Sequence, residues 1–115
     1  MSTSQTTYGT IEVTVKGKTY TLTPTLAAVR AIETQYGGLR NVLSALNDFS
    51  VQGATLVIAA GAGLKPKAAE KLAGDIFAHG APDVCIQAIP YVGALLNPAG
   101  TTGDEEEEEE EEQGE

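Results

Sequence analysis

The chain has 115 residues and a formal net charge of -9, but the charge is unevenly placed. Asp104, Glu105 to Glu112 and Glu115 hold ten of its sixteen acids, which leaves a body with six Asp/Glu against seven Lys/Arg. A near-neutral body with no evident basic face argues against nucleic-acid binding by phosphate neutralisation. One domain is the natural count for this length. Cys85 is the only cysteine, so the chain has no intramolecular disulfide and an oxidising compartment is not implied. The polar start MSTSQTTYG lacks the basic and apolar regions of a secretory signal, and the apolar runs are too short for a membrane span. The expected location is therefore the cytoplasm.

Residues 1–8 are rich in Ser and Thr and are expected to be flexible. Residues 10–16 then alternate, with Ile11, Val13 and Val15 on one face. Residues 19–23 continue the alternation with Tyr20 and Leu22, and period two with β-branched enrichment is a strand signal. Two turns fit this hairpin. A Gly17-Lys18 loop pairs Val15 with Tyr20 and Val13 with Leu22. A Lys16-Gly17 loop pairs Val13 with Tyr20 and Ile11 with Leu22. The first is preferred because lysine is a poor residue at positive φ, and either keeps the apolar residues on one face.

Pro24 suits a first helical turn with Thr23 as N-cap. Leu26, Val29, Ile32 and Tyr36 recur at helical spacing, and Gly37-Gly38 stops the helix. This first helix is the cheapest cover for the hairpin, which is marginal alone. Residues 39–49 put Leu39, Val42, Leu43 and Leu46 on one side of a second helix that ends near Asn47-Asp48. Ser50 caps a third helix, Val51–Ala62, whose apolar character nearly all round marks a central element. Gly61, Gly63 and Pro66 break it. A fourth helix over residues 66–78 points Ala69, Leu72, Ile76 and Phe77 inward, with Gly80 as its stop. A fifth starts at Pro82-Asp83, runs through Val84, Ile86 and Ile89, and is kinked or divided at Pro90. The fold class expected is α+β: an N-terminal β-hairpin packed on a small bundle of four to five helices. The single domain spans residues 9–97. Residues 98–115 are linker and poly-Glu tail, expected to be disordered because adjacent carboxylates repel and bury nothing.

No catalytic, cofactor-binding or metal-binding residue is assigned. His79 sits at a helix C-terminus, where the dipole favours it. Cys85 lies in an apolar run and behaves as a small hydrophobe. One His and one Cys do not close a zinc site. The run Gly61-Ala62-Gly63-Leu64-Lys65-Pro66-Lys67 lacks the Walker spacing and reads as a helix stop followed by a proline-started helix. Glu70, Asp75 and Asp83 read as solvated helix faces. The acidic tail is either solubilising or an attractor of basic protein segments, and charge patterning leaves both open. Loose calcium association comes third.

Residues 9–43, GTIEVTVKGKTYTLTPTLAAVRAIETQYGGLRNVL, carry a resemblance. Gly17, Lys18, Tyr20, Leu22, Pro24, Thr25, Ala28, Ile32, Glu33, Gly37, Gly38 and Leu39 match a short strand, a "dGk.y.L.Pt" hairpin, and a helix with an "iE" pair followed by "G.gl". In this the chain resembles the tail assembly chaperone family of gene transfer agents and tailed phages. The likeness spans residues 9–96, more loosely in the later half, and the poly-Glu tail lies outside it. It implies a non-enzymatic protein of the host bacterial cytoplasm. Such a protein holds the tape measure protein, brings major tail protein subunits to it, and is absent from the finished particle. No cofactor, nucleic acid or membrane is implied, and a homo-oligomer is left open. The alternatives are a structural minor tail component, a small cytoplasmic adaptor domain without catalytic activity, and, from another class, a small enzyme or nucleotide binder.

Overall fold

The structure, a computed structural model, describes residues 10–97. The expected flexible N-terminus, the linker and the poly-Glu tail lie outside the described residues. In order come β1 (Ile11–Val15), β2 (Lys18–Leu22), α1 (Leu26–Tyr36), α2 (Leu39–Asn47), α3 (Val51–Ala62), α4 (Pro66–His79) and α5 (Ala81–Leu96). The two strands pair antiparallel, and the α+β class is as the sequence indicates.

The hairpin register is the second of the two alternatives. Val13 faces Tyr20 and Ile11 faces Leu22, so Lys16 and Gly17 form the loop. Both have positive φ, 51° and 81°, the signature of a type I′ turn whose twist matches that of the strands. The preferred Gly17-Lys18 loop is wrong because the left-handed cost at Lys16, about 1 kcal/mol, is met elsewhere. The Lys16 N–H donates to His79 Nδ1 at 2.8 Å, a bond invisible to local reasoning.

The face formed by Val13, Val15, Tyr20 and Leu22 is buried. Its cover is not α1. Strand β1 lies against α5, with α4 near the turn, and β2 lies against α3, whereas α1 packs on α3 and α2. The reason is the link between β2 and α1. Thr23 N–H donates to Gly61 O at 3.0 Å and Thr23 O accepts from the Tyr91 hydroxyl at 2.6 Å, so this extended segment is tied to α3 and α5. Pro24 keeps its predecessor extended. The N-cap is consequently Thr25, not Thr23, with its hydroxyl accepting from Ala28 N–H at 3.0 Å. The buried stripe of α1 is Ala28 and Ile32, flanked by Val29 and Tyr36, while Leu26 is 63% exposed.

Helix α3 is central, touching every other helix and β2. Ser50 caps it as expected, its hydroxyl accepting from Gly53 N–H at 2.9 Å, and Gly63 closes it in the left-handed region. Gly61 is not a breaker but lies inside the helix. A Cβ there would stand 2.8 Å from Leu22 Cβ and 2.9 Å from Tyr91 Cζ. Helix α4 starts with Pro66 and buries Leu72 and Ile76; Phe77 is not inward but 79% exposed. Helix α5 runs unbroken through Pro90. The bond that Pro90 cannot make would end on Ile86 O, and both residues are exposed, so water can serve that carbonyl. Ile86, one of the apolar residues along this run, is 58% exposed. The stripe of α5 is instead Val84, Cys85, Ala88, Tyr91, Val92 and Leu95. Burial pushes the Tyr91 phenol up to about 12, so it remains a hydrogen-bond donor at any ordinary pH.

Two glycine substitutions separate close packing from helix propensity. Gly61→Ala should destabilise by about 1–3 kcal/mol, since neither Leu22 nor Tyr91 has room to move in a close-packed core. Gly74→Ala meets nothing within 4 Å and should stabilise by about 0.5–1 kcal/mol. Urea unfolding of both variants checks this, and equal effects would contradict the packing argument.

Candidate functional site

Two places in the fold bear on function: a polar cluster at the hairpin turn and an apolar groove on the helical side. In the cluster, His79 ends α4 and Asp83 lies in the first turn of α5, across Gly80 with φ 115°. His79 Nδ1 accepts the Lys16 N–H, so the proton is on Nε2, which donates to Asp83 Oδ2 at 2.7 Å. Gln87 Nε2 donates to the same Asp83 oxygen and to Thr14 O, both at 2.9 Å, and Gln87 Oε1 accepts the Thr14 N–H at 2.8 Å. One amide side chain thus stands in for a neighbouring strand on the outer edge of β1. The hydrogen bond from His79 holds the Asp83 carboxyl below its ordinary value, opposed by partial desolvation and helped by Gln87. Asp83 is therefore not a merely solvated side chain. Asp75 also has a partner, Lys71 at 3.1 Å, while Glu70 is exposed.

Both imidazole nitrogens are engaged, one by backbone and one by carboxylate. Cys85 is buried in the core, where its thiol lies 3.5 Å from Ser50 O, and burial raises it above the usual thiol range. The two residues a nucleophile pair would need are thus committed to separate partners. Among the described residues no group of three or more His, Cys, Asp or Glu side chains is placed to hold a metal ion. No helix there is long and apolar enough to cross a membrane. The Gly61 to Lys67 run is the α3 stop and the Pro66 start of α4.

The groove lies between α3 and α4, with Gln35 of α1 at its side, and has a volume of about 500 Å³. Ala59, Ala69 and Ala73 make a floor of small residues, Val51 and Leu56 supply bulk, and Gln52 and Thr55 are the polar positions of α3. Phe77 stands one turn beyond Ala73 on α4, at i+4, and is the most exposed of the large apolar side chains in the described residues. A smaller hollow of about 260 Å³ lies between Pro24, Thr25, Leu26, Val29 and Leu95. Sequence reasoning missed the groove and the role of Gln87. The available signals were the spacing of four in Ala69, Ala73 and Phe77, and again in His79, Asp83 and Gln87.

Compared with known proteins, the chain matches no family model, no curated protein and no solved structure. The geometry of Cys85 is directly testable. Ellman's reagent should react with it slowly in the native protein and rapidly after unfolding in guanidinium, because a buried thiol must both reach the reagent and ionise. Equal rates in the two states would contradict its burial.

Proposed function

We propose that the protein is a non-catalytic assembly chaperone whose α3–α4 groove holds an amphipathic helix of a partner. The observation that carries this reading is the groove itself, open and nearly all apolar, with an alanine floor. Small residues allow a helix backbone to approach closely, and Phe77, one turn along α4 from Ala73, supplies an exposed aromatic anchor. The resemblance of residues 9–43 to tail assembly chaperones gives the partner its identity. It is the tape measure protein, a long helix-rich chain, to which this protein brings major tail protein subunits. The acids of residues 104–115 add salt-sensitive attraction for basic segments of the same partner. The engaged imidazole and buried thiol support a role without catalysis.

Co-expression with a tape measure protein encoded beside it should keep that partner in the soluble fraction and allow the two to be purified together. Recovery of the tape measure protein in the pellet, with and without this chain, would end the proposal. Mass spectrometry of finished particles distinguishes the chaperone from a minor structural component, since a chaperone is depleted there. Phe77→Ala and Ala73→Glu should each weaken capture about tenfold, while unfolding free energy changes by about 0.5 kcal/mol or less for Phe77→Ala, as for other exposed positions. Wild-type capture by both variants would place the binding surface elsewhere.

A further inference from the structure

We propose that His79 is a pH-operated latch on the hairpin turn, which protonation of the ring releases without disturbing the rest of the hairpin. The latch is independent of the groove and its partner. It follows from which atom of the ring does what. Nδ1 serves as an acceptor, and the group it accepts from, the Lys16 N–H, is a backbone donor that cannot reverse its role. A doubly protonated imidazole has no acceptor. The latched state therefore requires the ring to be unprotonated at Nδ1, and acid favours the released turn by mass action.

The surrounding charges decide what else changes. Asp83 faces the ring from α5, Asp75 lies one turn earlier on α4 and is tied to Lys71, and the Lys16 ammonium belongs to the turn itself. The Asp83 carboxyl is held below its ordinary range, so it remains ionised at mild acidity. It stays paired with the imidazolium whether the turn is docked or free, and the α4–α5 corner persists. Upstream, Thr14 is held at both N–H and C=O by Gln87, an amide that does not titrate. Downstream, Val15 is buried and paired with Lys18, so release is confined to the Lys16-Gly17 turn. That turn contains the one lysine that adopts the left-handed conformation, so it is also where relaxation to an ordinary backbone is favoured once the bond is lost.

Two amides two residues apart provide the test. Hydrogen exchange followed by NMR on the full chain, corrected for intrinsic rates, should show Lys16 protection falling about fivefold between pH 7.5 and 5.0, the equilibrium value of one neutral hydrogen bond. Thr14 protection should not change. The imidazole ¹⁵N shifts should report the Nε2–H tautomer at pH 7.5. His79→Asn keeps an oxygen acceptor near the Nδ1 position and does not titrate, so Lys16 protection should become independent of pH in that variant. Flat Lys16 protection in the wild-type chain, a parallel fall at Thr14, an Nδ1–H tautomer, or an undiminished acid response in His79→Asn would each overturn the latch.

Discussion

Where α3 passes beneath the end of β2, the Leu22 side chain and the Tyr91 ring occupy the space that a side chain at position 61 would need. The contact brings three elements to one point. Backbone bonds then secure it, with Thr23 N–H on Gly61 O and the Tyr91 hydroxyl on Thr23 O. A close approach of this kind is cooperative in the packing sense. Interiors are dense, so removing the void for a methyl group forces neighbours to move together. Thr23 is bound to both α3 and α5, which fixes where the chain leaves the hairpin. Helix α1 is then capped by Thr25 and packs on α2 and α3. The layout of the whole helical layer descends from that junction.

At the opposite end of the hairpin the constraint is polar. The outer edge of β1 would present unpaired backbone groups to any passing strand, a known hazard for short sheets. Here Gln87 and His79 satisfy the edge at Thr14 and Lys16, and Asp83 orients both side chains. Titratable groups that look like chemistry in a linear reading are thereby used as structure. The hairpin is held at one end by van der Waals fit and at the other by an exposed, titratable network. The two ends accordingly differ in how they respond to solution conditions.

The surface on which the functional proposal rests lies on the helical side, between α3 and α4. Helices α3 and α4 meet through small residues, and small residues leave a furrow where larger ones would have filled it. Val51 and Leu56 of α3 are only partly buried against the core and also line the furrow, while Phe77 of α4 is exposed. Scattered exposed apolar residues are normal, but a continuous concave strip is the kind of surface that partners use.

Most element boundaries were legible from residue order alone. Period-two alternation marked the strands, Ser50 and Gly63 delimited α3, Gly37 ended α1, and Pro66 started α4. These features act through neighbours within four residues, so the sequence carries them by itself. The turn register, the cap of α1, the cover of the hairpin, the outward turn of Phe77 and Ile86, and the passage of α5 through Pro90 were not legible. For the register and the cap, local alternatives differ by about 1 kcal/mol, which one distant hydrogen bond or packing contact outweighs; Pro90 costs about 3 kcal/mol locally and is carried by the packing of the buried α5 stripe. Both hairpin registers keep Val13, Tyr20 and Leu22 on the same face, so alternation could not choose between them, whereas an imidazole sixty-three positions away could. Element type was therefore determined by sequence, and the register, the groove and the histidine network were decided only when tertiary structure brought remote groups together.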